Sequence, residues 1–83
     1  MYILVIDPEE GVRLVIEKGK LEIINIDTHT MTVELDSEYD RTLEPGVKDK
    51  WSMPLTEIAK HNSLAVQNIR GDEVLFLDFH PKR

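Results

Sequence analysis

Apolar and polar positions alternate along much of this 83-residue chain with a period of two. Val12, Leu14 and Ile16 interleave with Arg13, Val15 and Glu17, and Met31, Val33 and Leu35 interleave with Thr32 and Glu34. Successive strand residues face opposite sides, so both runs predict strands with one buried face. The first run departs from the pattern. Tyr2-Ile3-Leu4-Val5-Ile6 is apolar on whichever side it is viewed, and a strand without a polar face wants cover on both sides. Leu21 to Ile26 is rich in β-branched residues, and its alternation slips between Ile23 and Ile24, which fits either a bulge or burial on both faces.

Turn residues punctuate these runs. Asp7-Pro8-Glu9-Glu10-Gly11, Lys18-Gly19 and Asp27 to Thr30 each read as a reversal, so the first four strands predict an antiparallel meander. From Asp36 to Lys50 the periodicity disappears among charges, Pro45 and Gly46, which predicts one long loop. Ser52 is placed to cap a short helix from about Pro54 to His61, with Leu55, Ile58 and Ala59 on one face. Leu64 to Ile69 and Val74 to Phe79 flank Arg70-Gly71-Asp72-Glu73 as a C-terminal hairpin. The fold class that results is mostly β: an antiparallel sheet or small barrel of about six strands with one short α-helix, in a single domain spanning 1–83. Its core candidates are Ile3, Val5, Leu14, Ile16, Ile23, Met31, Val33, Leu35, Leu55, Ile58, Val66, Val74 and Phe76.

Size sharpens the argument about the first strand. A chain this short builds one modest core and can hardly shield both sides of Tyr2 to Ile6 alone. A homodimer is therefore expected, with that strand central in the sheet or at the interface. The absence of cysteine removes disulfides and thiolate metal sites and fits a reducing, cytoplasmic setting. The N-terminal apolar run is too short for a signal sequence, and no segment reaches the length of a membrane span.

Sixteen acidic against ten basic residues leave a formal net charge of -6, which opposes a broad grip on phosphate backbones but leaves room for a local basic patch. Acid is densest from Glu34 to Glu44, where Glu34, Asp36, Glu38, Asp40 and Glu44 accompany only Arg41. That run reads as a solvated loop or as a docking surface for a basic protein.

Catalytic chemistry finds little support. His29, His61 and His80 never fall close enough in sequence to share one helix face, no pair of carboxylates is singled out, and Ser37, Ser52 and Ser63 lack a nucleophile-elbow frame. The isolated turn glycines make no phosphate cradle, so neither a catalytic site nor a metal nor a cofactor is expected. Arg70-Gly71-Asp72 matches the tripeptide that integrins read, but a glycine in a hairpin accounts for it. Trp51 beside Lys48 and Lys50 has two readings: a ring stacked on a nucleobase with amines on phosphate, or a core tryptophan.

In the first 35 residues, the opening Met1-Tyr2-Ile3-Leu4, the glycine at Gly11 and the strands Val12 to Ile16, Leu21 to Ile26 and Met31 to Leu35 resemble the carbon storage regulator family, and Trp51 to Ile58 would then stand where the family's fifth strand runs into its helix. The resemblance implies an interlocked homodimer that binds messenger RNA around exposed GGA loops and regulates translation. This chain departs from the family pattern at Val5, Ile6, Asp7 and Pro8, where polar and basic residues follow the family's first strand, and it has no counterpart of the basic RNA-contacting position around Ser52 to Leu55. The segment Ser37 to Lys50 would be an insertion and the C-terminal hairpin an addition. The functional expectation is a non-enzymatic regulatory or adaptor protein acting by binding, with RNA contacts at Arg41, Lys48, Lys50 and Trp51. The alternative is an acidic protein–protein interaction module, an inhibitor or assembly component.

Overall fold

The computed structural model describes residues 2–7 and 9–80, with only the backbone described for Tyr2, Asp7 and His80. Within them the chain runs β1 (Tyr2–Asp7), β2 (Val12–Glu17), β3 (Lys20–Asn25), β4 (Met31–Leu35), β5 (Glu38–Leu43), β6 (Trp51–Pro54), α1 (Leu55–Ile58), β7 (Ser63–Gln67) and β8 (Glu73–His80). These strands form two antiparallel sheets, one five-stranded in the order β1-β8-β7-β4-β5 and one three-stranded in the order β2-β3-β6. The mostly β expectation with one short helix holds, and neither sheet closes into a barrel.

Two of the hairpins are set by residues in the left-handed region. Lys18 and Gly19 join β2 to β3 with φ of 52 and 74, and Asp36 and Ser37 join β4 to β5 with φ of 54 and 66. Positive φ at both central positions gives a turn whose twist matches that of the flanking strands. The first of these turns was legible as Lys18-Gly19. The second ends the expectation of a long loop, because Glu38–Leu43 leaves it as a strand and only Glu44 to Lys50 remains irregular.

The expected meander is corrected as well. Only β2 and β3 form a hairpin among the first four strands; β1 pairs with β8 and β4 with β5 and β7. Pairing with β8 removes β1 from the neighbourhood of β2, and Pro8 of the turn between them lies outside the described residues. β1 is not central but forms an edge of the larger sheet.

Both sheets contribute to a single apolar cluster. Val12, Leu21, Ile23 and Trp51 from the smaller sheet meet Met31, Val33, Leu43, Leu64, Val66, Leu75, Leu77 and Phe79 from the larger, with Ile58 of α1 in the same cluster. Register assigns the faces: Leu64 sits opposite Leu77 and Leu35, and Val66 opposite Leu75 and Val33, so these side chains line one side of the sheet. The slip at Ile23-Ile24 is burial on both faces and not a bulge, because the ladder runs unbroken through Leu14↔Ile23 and Arg13↔Ile24 and both isoleucines are buried.

Two core candidates prove exposed, Val5 at 45% and Ile16 at 48%. Each sits on an edge strand, where no further strand lies alongside to cover it. The helix is shorter than its apolar spacing suggests. Its N-cap is Pro54 and its first turn is held by Leu55 N–H donating to the Gly19 carbonyl at 2.9 Å, whereas Ser52 belongs to β6 opposite Glu22.

Candidate interaction surface

The two sheets leave four strand edges, and an edge presents unpaired N–H and C=O groups on which another strand can form. Three of the four are blunted. β5 carries Glu38, Asp40 and Arg41; β2 carries Arg13 and Glu17, and its Leu14 N–H already donates to Glu9 Oε2 at 2.5 Å; β6 is only four residues long and ends in Pro54. Charge, an occupied donor, proline and shortness are the usual protections of a sheet edge.

β1 carries neither charge nor proline over its central span, and its one irregularity is a bulge near its C-terminal end. Ile3, Leu4, Val5 and Ile6 are all apolar, and the first charge is Asp7 at the strand's end. Ile3 and Val5 pair with Phe79 and Leu77, placing them on the core side, and Leu4 pairs with Asp78 on the outer side. The register shifts between Val5 and Asp7, so Ile6 is an extra residue in a bulge. Ile3 packs against the core, yet Leu4 remains 48% exposed and Ile6 52%, comparable to Val5. Apolar side chains are thus half in water on both sides of one strand.

Of the residues expected to contact RNA, Trp51, Arg41 and Lys50 have partners within the molecule. Trp51 is 3% exposed, packs in the core, and its indole N–H donates to Asp40 Oδ2 at 2.8 Å, so its ring presents no stacking face. Arg41 is ion-paired with Asp49, whose other oxygen accepts the Glu44 N–H at 2.7 Å; these bonds, led by the Glu44 backbone, lower the Asp49 pKa. Lys50 lies on the opposite side of the smaller sheet from the Trp51 ring, with its ammonium 3.2 Å from Glu22 Oε2. Lys20 reaches the same oxygen at 3.4 Å, and the Lys50 hydrogen bond is the main cause of the lowered pKa of this largely buried carboxylate. Lys48 is exposed in the loop before β6.

The acidic run is also partly engaged inside the molecule. Asp36 Oδ1 accepts the Asn62 N–H at 2.5 Å and the Ser63 N–H at 3.4 Å, while His61 Nδ1 lies 2.6 Å from Oδ2. The Asn62 backbone bond and then His61 hold the Asp36 carboxyl below its ordinary pKa. Asp36 therefore fastens the end of the α1 segment to the β4–β5 turn, and Asp40 fastens the indole; Glu38 and Glu44 are exposed.

His29 is exposed in the turn after β3, and the side chain of His80 lies outside the described residues. Among the described residues no group of three potential metal ligands forms, and no helix is long and apolar enough to cross a membrane. Arg70-Gly71-Asp72 forms the exposed tip of the β7–β8 hairpin, folded over Asn68, whose Oδ1 accepts the Arg70 and Asp72 N–H groups. Compared with family models, with curated proteins and with solved structures, the chain finds no match.

Proposed function

We propose that this chain is a non-enzymatic regulatory or adaptor protein that acts by binding, through addition of an extended strand to the open edge of β1. The observation that carries this reading is the half-exposure of Leu4, Val5 and Ile6 on an edge that, among the described residues, carries neither charge nor proline across its centre. Strand addition supplies affinity through main-chain hydrogen bonds and selectivity through alternate side chains, both of which β1 offers. Amide exchange tests it directly. A synthetic peptide of alternating valine and threonine, added in excess, is expected to slow exchange at alternate β1 amides and to leave the β5 edge unchanged. Unaltered β1 exchange with such peptides and in the concentrated protein alone overturns the reading.

A second reading, RNA binding, draws on the outer face of the smaller sheet. Arg13, Lys20 and Lys50 lie on that face, with Lys18 and Lys48 in the adjoining turn and loop, in a chain otherwise dominated by acid. This reading moves the contacts away from Trp51 and onto lysine and arginine, which meet phosphate without stacking. Its test is a salt-sensitive shift of a GGA-containing hairpin RNA that weakens in a Lys48→Ala, Lys50→Ala double variant. Absence of a shift at low salt removes it.

A further inference from the structure

We infer that the strand added to β1 is the β1 strand of a second copy, antiparallel and related by a two-fold axis through Leu4. The inference rests on the strand-addition reading above and names its partner. In this arrangement Leu4 stands opposite Leu4 of the other copy, and Ile3 opposite Val5, so each facing pair is apolar and the strand complements itself. Residues that face each other across a ladder share a side of the sheet. Ile3 and Val5, on the core side with Phe79 and Leu77, thus meet their counterparts on the core side of the second copy. The two five-stranded sheets become one continuous sheet with their cores on the same side.

Charge selects the antiparallel direction. Asp7 is the charged residue of β1 and stands at its C-terminal end; parallel pairing would bring two such ends together, and antiparallel pairing sends them to opposite ends. The remaining acid of a chain with net charge -6 still repels its copy at long range, so the association strengthens as salt rises. Contact with a polyanion weakens with salt, and the opposite sign separates the two.

A single strand pair buries less than the roughly 800 Å² per partner of a stable interface, so the dimer is weak and concentration-dependent. This agrees with a strand that is half covered in the isolated chain and not fully apolar-exposed.

Sedimentation equilibrium across a wide concentration range, at low and at moderate salt, tests the state. The mass is expected to rise toward that of two chains, more readily at the higher salt. Leu4→Lys sets two ammoniums face to face and is expected to weaken association by about tenfold or more, and Leu4→Glu to do the same. Mixing the two variants is expected to restore a heterodimer, a result that misfolding of either could not give. The chain has no cysteine, so Leu4→Cys supplies an independent readout. Directly opposed strand residues lie within the Cα separation a disulfide spans, and the oxidised variant is expected to cross-link between copies faster than Val47→Cys, although Val47 is the more exposed position, at 64% against 48% for Leu4. A monomeric mass at every concentration, with equal cross-linking of the two cysteine variants, overturns the inference. If β1 amides are nonetheless protected by the valine–threonine peptide, strand addition stands and self-pairing alone fails; if they are not, both fail.

Discussion

The Trp51 indole N–H donates to Asp40 Oδ2 at 2.8 Å, and this bond ties β6, an edge of the smaller sheet, to β5, an edge of the larger. The ring is buried while its polar end reaches a carboxylate near the surface, the arrangement that lets a tryptophan fill a core without stranding its donor. The pair closes one side of the space between the sheets.

Asp40→Ala removes the acceptor and keeps the ring, so it is expected to destabilise the fold by about 1 kcal/mol, whereas Trp51→Ala also removes the buried ring and is expected to cost about 3 kcal/mol or more. Because Trp51 is the chain's one tryptophan, its fluorescence reports this site alone. Urea titration followed by emission is expected to show a lower midpoint for Asp40→Ala with an unchanged slope. An Asp40→Ala variant as stable as the parent would show that water replaces the carboxylate at no cost.

Asn25 makes a second prediction. It is fully buried at the end of β3, where its Nδ2 donates to the Leu43 carbonyl at 2.9 Å and the His29 carbonyl at 2.8 Å, and its Oδ1 accepts the Asp27 N–H at 2.9 Å. One side chain thus satisfies backbone from β5 and from the turn after β3. Asn25→Leu leaves all three groups unpaired and is expected to cost about 3 kcal/mol or more. Asn25→Asp keeps the shape and loses both donors, and is expected to be as damaging at neutral pH. Thermal unfolding of the two variants beside the parent checks both.

Asp36, Glu22 and Asp49 are expected to contribute to the acid limit of the fold. All three carboxyls have pKa values below their ordinary ones: Asp36 chiefly through the Asn62 backbone and His61, Glu22 through Lys50 and Lys20, and Asp49 through the Glu44 backbone and Arg41. A lowered folded pKa means that the stabilisation is complete above the ordinary carboxylate range and is lost as pH falls through the lowered values. Stability is therefore expected to hold from neutral pH down to about 5 and to decline below about 4. Asp36→Asn tolerates the left-handed backbone but accepts more weakly, and is expected to flatten that acid limb while lowering neutral-pH stability by about 1–2 kcal/mol. Denaturant midpoints measured against pH for the parent and Asp36→Asn decide it; parallel acid limbs would remove Asp36 from the account.

What the sequence discloses about this fold is what lies close along the chain. β2, β3, β4 and the C-terminal hairpin follow from period-two runs and from turn residues such as Lys18-Gly19. β5 escapes because Glu38-Tyr39-Asp40-Arg41-Thr42-Leu43 buries only Leu43 fully, with Tyr39 65% exposed, so an edge strand reads as a charged loop. The strand at Tyr2 to Ile6 was legible from its composition, but its place was not: it pairs with β8, far away in sequence, and nothing in either run names the other. Trp51 shows the same limit at the level of a site. Its neighbours Lys48 and Lys50 suggest a ligand, while its indole N–H finds Asp40, eleven residues earlier on a strand the periodicity conceals.

Gly11 carries the last prediction, and comparison with Gly19 isolates its cause. Both glycines hold positive φ, 79 and 74, which an alanine adopts only with strain of about 1 kcal/mol. Around Gly19 nothing lies within 4 Å of an added Cβ, so Gly19→Ala is expected to cost that strain and no more. At Gly11 the added Cβ meets Met31 Cε at 3.0 Å and Asp27 Cβ at 3.4 Å, and Met31 is almost fully buried in the core. The methionine tip is flexible but has little room, so Gly11→Ala is expected to cost about 2 kcal/mol. The Gly11 carbonyl also accepts the Ile26 N–H at 2.9 Å, so a backbone shift that relieved the contact would loosen the end of β3. Trimming Met31 to leucine in the Gly11→Ala background is then expected to recover part of the loss, whereas Met31→Leu alone costs stability. A double-mutant cycle built on urea midpoints measures that coupling, and additive costs would mean that the strain at Gly11 is backbone strain alone.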